Sequence, residues 1–105
     1  LGAGPTVLIY DARMIPNLKL RDLLMETAEG LEIPLQVSYV EGGATDGAAI
    51  HQHQTAVPTD EIGVAARHIH SDSSIIHRED YDNAVKLLVE VINRLDAETV
   101  AGFTA

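Results

Sequence analysis

Thr6-Val7-Leu8-Ile9-Tyr10 is a short apolar, β-branched run entered from the turn signal Gly2-Ala3-Gly4-Pro5, and it reads as a buried strand. Working outward, Pro16-Asn17 breaks the chain. From Leu20 the apolar positions Leu20, Leu23, Leu24, Ala28 and Leu31 form one helical stripe, which Gly30 closes. Behind Pro34, Leu35-Gln36-Val37-Ser38-Tyr39-Val40 alternates as a second strand. Glu41 to Gly47 is a loop by composition, and Thr45 or Asp46 is placed to cap a short helix over Ala48-Ala49-Ile50. Val57-Pro58 opens another turn. Ile62, Val64 and Ala66 then alternate with Gly63, Ala65 and Arg67 as a third strand. If it continues, His68 and His70 share the Ile62/Val64/Ala66 face.

A polar, Ser-rich connection from His70 to Arg78 leads to the clearest element, a helix with the apolar stripe Tyr81, Ala84, Val85, Leu88, Ile92 and Leu95. Its first turn carries Glu79, Asp80 and Asp82, read as a solvated face, with Lys86 and Arg94 later. That distribution matches the helix dipole. His77, just before it, is expected to cap the helix or pack on it. Alternation of strands and helices argues an α/β layered fold with a largely parallel sheet. Three strands make a thin sheet, and parallel sheets need cover on both faces, so the segment reads as part of a larger α/β domain.

Composition narrows the function. Of 105 residues, 46% are hydrophobic and 22% charged, ordinary for a soluble globular chain. With three Tyr, one Phe and no Trp the core must be aliphatic. A net charge of −9 argues against nucleic acid and against an anionic membrane surface as partners. The absence of cysteine removes disulfides and thiolate metal sites. No apolar run approaches the ~20 residues that span a bilayer, and Leu1 to Pro5 has no signal-peptide character; a cytoplasmic location is the expectation. There is no initiating Met, and the chain reads as trimmed or as a piece of something longer.

The histidines are His51, His53, His68, His70 and His77. On a strand, i and i+2 point the same way, so His68 and His70 could reach one metal, whereas on a helix His51 and His53 would lie ~200° apart. Spacing alone does not separate a metal pair from two polar residues at a strand end. Ser71, Ser73 and Ser74 near His70 and Asp72 do not make a nucleophilic triad, whose members converge from separate elements. Gly42-Gly43-Ala44-Thr45-Asp46 matches no nucleotide fingerprint, and a strand-to-helix turn with an Asp cap accounts for it.

Taken in order, several segments resemble one family. They are Gly2-Ala3-Gly4-Pro5 with Val7-Leu8-Ile9-Tyr10-Asp11; Met14-Ile15-Pro16-Asn17; Gly42 through His51; Ile62-Gly63-Val64 with Arg67-His68-Ile69-His70-Ser71; and Ser74 through Tyr81. Their order is similar to the C-terminal end of the dinuclear-metal aminopeptidases that assemble into tetrahedral particles. These include glutamyl and deblocking aminopeptidases, often labelled cellulase or endoglucanase. The resemblance runs from about residue 1 to residue 96. It implies a partial three-layer α/β/α sandwich of the zinc-dependent exopeptidase type, with residues 1–105 as the C-terminal segment of the catalytic domain. The family's other metal ligands, its general-base Glu and its β-rich dimerisation domain would lie upstream.

In the family, the His of the Ile-His-Ser run ligates one of two divalent ions, zinc or cobalt, and that role maps onto His70. His68 stands where the family commonly has Tyr, and no ligand role is carried to it. The Gly-Gly-x-Thr-Asp loop lies beside the family's cleft, which makes Gly43, Thr45 and Asp46 candidates for lining a substrate pocket, with Ala44 where glycine is frequent. The implied parent is a homo-oligomeric aminopeptidase, a tetrahedral dodecamer in the family, that hydrolyses peptide N-termini through a metal-bridged hydroxide. The 105-residue segment by itself is expected to be inactive, with at most one incomplete metal site and uncovered apolar surface that favours self-association. Two rivals stand beside this reading: a glycosidase, which needs two carboxylates ~5–10 Å apart, and a non-catalytic fragment.

Overall fold

The computed structural model of the chain describes residues 1–10, 16–39, 47–50, 52 and 57–103. Strand β1 (Thr6–Tyr10) is central. Helix α1 (Leu18–Gly30) returns the chain to β2 (Gln36–Tyr39), which lies parallel to β1 with Thr6 opposite Gln36 and Val7 opposite Val37. The unit is a right place for glycine: Gly4 has φ +102°, and a Cβ there would stand 1.9 Å from the Pro34 carbonyl oxygen. Only a residue without a side chain lets the two strand entrances come so close. Gln36 secures the approach, its backbone N–H donating to the Pro5 carbonyl at 2.9 Å and its Nε2 to the Gly4 carbonyl at 3.0 Å.

Asn17 caps α1, its Oδ1 accepting from the Leu20 N–H at 3.0 Å. The helix therefore begins at Leu18, earlier than the apolar stripe alone places it. Leu24, Thr27 and Ala28 face inward, while Leu31, the last member of the expected stripe, is exposed. Helix α2 (Gly47–Ile50) falls where a short helix is expected. The proposed capping residues Thr45 and Asp46 lie outside the described residues.

The third strand departs from expectation. Ile62–Gly63 (β3) pairs antiparallel with β1, placing Gly63 against Thr6, and pairing then stops. Ala66–Arg67 (β4) pairs instead with Ile75–Ile76 (β5) in a separate antiparallel hairpin. The main sheet has the order β2-β1-β3 and is mixed, not largely parallel. The run from Ile62 to Ala66 alternates as a strand should, but Val64-Ala65 carries the chain from one sheet to the other.

Helix α3 (Arg78–Arg94) and α4 (Ala97–Gly102) complete the chain. One aliphatic core unites Val7 of β1, Leu24 and Ala28 of α1, Ile33, and Leu87 and Val91 of α3, so α1 and α3 pack side by side on the Val7 face. Leu8, which points the other way, is 4% exposed, so both faces of β1 are shielded. Thr27 and Arg94 tie the helices together: the Arg94 guanidinium donates to Thr27 Oγ1 at 3.3 Å, and that hydroxyl donates to the Leu23 carbonyl at 2.7 Å. Among the described residues, no helix is long and apolar enough to cross a membrane.

The phase of α3 differs from the expected stripe. Asp80, Leu87 and Val91 are buried, while Tyr81, Val85, Leu88 and Ile92 are 45–56% exposed. The physical reason lies at the start of the helix. Asp80 is held inside by long-range hydrogen bonds, and Leu87 and Val91, at i+7 and i+11, share its face.

Candidate metal-ligating turn

The hairpin β4–β5 holds a turn from His68 to Ser74 between Arg67 and its partner Ile75. His68 and His70 both take φ +60°, the left-handed region that costs a non-glycine residue about 1–2 kcal/mol. The strand expected to run through them is absent at this point, so the same-face geometry of an i, i+2 pair does not apply. The turn is stitched locally. Ser71 Oγ lies 2.5 Å from the His68 carbonyl and 2.7 Å from that of Ser73, and its one proton can serve either. Every residue from Arg67 to Glu79 is exposed, His70 among them, and its ring nitrogens make no hydrogen bond to a described residue. That leaves an imidazole lone pair open to a ligand. No group of three or more His, Asp or Glu among the described residues could hold a metal ion, so His70 could supply one donor of a larger set. Gly43, Thr45, Asp46, His51 and His53 lie outside the described residues.

The base of the hairpin is fixed more firmly than its tip. His77 caps α3, its Nδ1 accepting from the Glu79 N–H at 3.2 Å, as its position before the helix suggests. Asp80, one turn in, is 1% exposed, which corrects the reading of the acidic first turn as a solvated face. Its two carboxylate oxygens accept from the Gly2 N–H at 2.8 Å and the Gly4 N–H at 3.0 Å. The Gly2 bond is the main cause that holds the Asp80 carboxyl below its ordinary range, against the opposing effect of burial. Arg78 and Asp82 form the exposed i, i+4 pair of that turn at 3.1 Å. Asp80 thus clamps the entrance of β1 to the start of α3, eight residues beyond Asp72 in the turn. Sequence reasoning missed it because its partners are 76 and 78 residues away.

A second feature escaped the sequence. Leu20 and Leu24 of α1, Ile62 of β3, and Leu88 and Val91 of α3 line a groove of about 260 Å³, with Asp60 at its edge. Burial pushes the Asp60 carboxyl up to about 6, only partly offset by the Glu61 N–H that it accepts at 2.7 Å. Its second oxygen is buried with no hydrogen-bond partner.

Comparison with known proteins shows the family. The profile of the M42 glutamyl aminopeptidases matches residues 1–87. The chain is 37% identical over 103 residues to the glutamyl aminopeptidase of Lactococcus lactis, covering 96% of this chain and 28% of that protein. A TET aminopeptidase structure from a marine-sediment Thaumarchaeota archaeon superposes with a TM-score of 0.95 at 42% identity, over 98% of this chain and 29% of the other. The TET1 peptidase of Pyrococcus horikoshii, which can assemble into a tetrahedron or a large octahedral shell, matches at 0.73 and 28% identity, over 88% and 26%. A Thermotoga maritima structure called an endoglucanase matches at 0.67 and 26% identity, over 100% and 29%. The chain therefore spans under a third of the length of the relatives that it matches.

Proposed function

The chain belongs to the M42 glutamyl aminopeptidase family, and from that premise we propose that it is the C-terminal segment of the catalytic domain of a metal-dependent aminopeptidase, to which it contributes the metal ligand His70. The observation that carries the reading is the family match across residues 1–87, which takes in the hairpin and its exposed, unengaged imidazole. The residues fit a metal centre in part. One histidine stands open, and the remaining ligands and the general-base Glu are assigned to chain outside residues 1–105.

When bound, two divalent ions of the zinc or cobalt kind would supply a Lewis acid and a water of lowered pKa. The work of this segment is positional. The β4–β5 pairing holds the turn, and Asp80 and His77 fix its far end. Gly43, Thr45 and Asp46 are proposed to line the pocket for the peptide N-terminus. The parent is read as a cytoplasmic homo-oligomer with a three-layer catalytic domain.

The test is His70→Ala in the full-length protein, with bound metal counted by mass spectrometry and hydrolysis of aminoacyl anilides followed. Loss of a metal equivalent and of at least about 100-fold in activity is expected, since even indirect partners of a ligand commonly cost 10–100-fold. Unchanged metal content and activity would overturn the assignment.

The name of the Thermotoga maritima relative favours a second reading, hydrolysis of glycosides. That chemistry needs a carboxylate pair across a sugar ring, and among the described residues the two most withdrawn from water, Asp60 and Asp80, are committed to a groove edge and to the Gly2/Gly4 clamp. Cleavage of carboxymethylcellulose without action on anilides would reverse the preference.

A further inference from the structure

Three residues other than glycine hold a positive φ among the described residues, and two of them, His68 and His70, stand in the candidate ligand turn. A backbone in that region costs energy at any residue with a side chain, and it persists only where its surroundings over-determine it. Burial does not supply that restraint here. Every residue from Arg67 to Glu79 is exposed, and the apolar Ile69 between the two histidines is 68% exposed. Among the described residues the restraint comes from hydrogen bonds within the hairpin itself.

The β4–β5 ladder ends at the pair Arg67 and Ile75. Beyond it, the Ser71 hydroxyl lies 2.5 Å from the His68 carbonyl oxygen and 2.7 Å from that of Ser73. His68 adjoins Arg67 on the outgoing leg, and Ser73 lies just before Ile75 on the returning leg. One hydroxyl therefore spans both legs of the turn, and its bond to His68 closes a ring of chain that contains His70. Both of its contacts are carbonyl oxygens, so the hydroxyl acts there as a donor. No imidazole accepts its proton among the described residues, and it lacks the base that a nucleophile needs.

We propose that Ser71 is a positioning residue for His70: its hydroxyl, donated to the carbonyls on either side of that histidine, holds the left-handed turn in the form in which His70 meets a divalent ion. The inference rests on the reading of His70 as a metal ligand. A turn ordered in advance spares the ion the cost of ordering it on binding. Without the hydroxyl that cost falls on the binding step, so the loss appears as weaker metal affinity. It does not appear as unfolding, because the tip of the hairpin lies outside the core of Val7, Leu24, Ala28, Leu87 and Val91.

Titration of the metal-stripped full-length protein with cobalt(II) alone, followed by its visible absorption, tests this without recourse to peptidase activity. Ser71→Ala is expected to bind one of the two ions about 10-fold more weakly, the lower end of the 10–100-fold that supporting partners of a ligand commonly contribute. Its urea midpoint should match that of the wild type. Ser71→Thr keeps the hydroxyl and should bind cobalt as the wild type does. Wild-type affinity in Ser71→Ala would overturn the proposal, and so would a Ser71→Thr variant as weak as the Ala variant. His70→Ala, titrated alongside, separates the two readings. If it loses one equivalent while Ser71→Ala binds both ions normally, this inference alone fails. If it keeps both equivalents at wild-type affinity, His70 is not a ligand and the proposed function fails with it.

Discussion

Asp80 and His70 lie ten residues apart and meet opposite physical demands. Asp80 is buried and accepts two backbone N–H groups, which favours its ionised form and lowers its pKa from the ordinary 3.8. A carboxylate with a lowered folded-state pKa contributes stability that is present above the unfolded value and lost as pH falls through the folded one. Replacement by Asn keeps the shape but removes the charge and turns one oxygen into a donor facing an N–H. The expected outcome is a lower urea midpoint for Asp80→Asn at pH 7 and a gap to wild type that narrows as pH drops below 3.8. A gap that stays constant with pH would show that the clamp acts by shape alone. His70 is exposed, at φ +60°, in a conformation that a glycine adopts freely. His70→Gly therefore separates ligation from folding in a way that His70→Ala does not. Relief of left-handed strain, about 1–2 kcal/mol, opposes the entropy that glycine adds to the unfolded chain, about 0.5–1 kcal/mol. Stability by chemical denaturation should hold within about 1 kcal/mol while metal content and anilide hydrolysis of the full-length protein fall as for Ala. A variant that loses stability and activity together would mean that the ring supports the turn. Sequence singled out His70 through its neighbours, but not the backbone conformation it must hold, and nothing local marks Asp80 as buried.

The elements were legible where one periodicity ran long enough to be unambiguous. Thr6 to Tyr10, the stripe ending at Gly30, the alternation behind Pro34 and the last long helix all appear where their patterns place them. The failures have physical causes. Ile75-Ile76 is too short to show alternation and is a strand only because Ala66-Arg67 pairs with it. Helix α4 is capped by Asp96, whose side chain accepts from the Thr99 N–H at 2.7 Å, a signal that an apolar count passes over. For α3 the pattern reported a wide apolar arc without saying which half meets the core, and the tether at Asp80 decided it. That distinction is measurable. Leu87 is fully buried against Val7 and α1, so Leu87→Ala should cost about 2–5 kcal/mol in denaturant unfolding. Its exposed neighbour Lys86→Ala should stay within about 0.5 kcal/mol. Equal effects at the two positions would mean that the helix is turned otherwise than described.

At the scale of the whole molecule, the site is more incomplete than the fold. The described core closes around β1, α1 and α3, yet the candidate ligand turn is fully exposed and one side of α3 has no cover within the described residues. Both facts fit the proposed reading of the chain as part of a longer enzyme, since it matches 26–30% of the length of the relatives compared. Metal binding turns this into a measurement. A lone imidazole offers one donor, whereas four ligands are usual for zinc, three of them from protein at catalytic sites. The 105-residue chain mixed with excess zinc or cobalt and passed through gel filtration should retain no stoichiometric metal and should not hydrolyse aminoacyl anilides. The full-length protein treated alike should retain about two equivalents. If the short chain keeps one full equivalent, the partners of His70 lie within residues 1–105. His70 would then anchor a self-contained site, and the assignment of its partner ligands to chain outside residues 1–105 would fail.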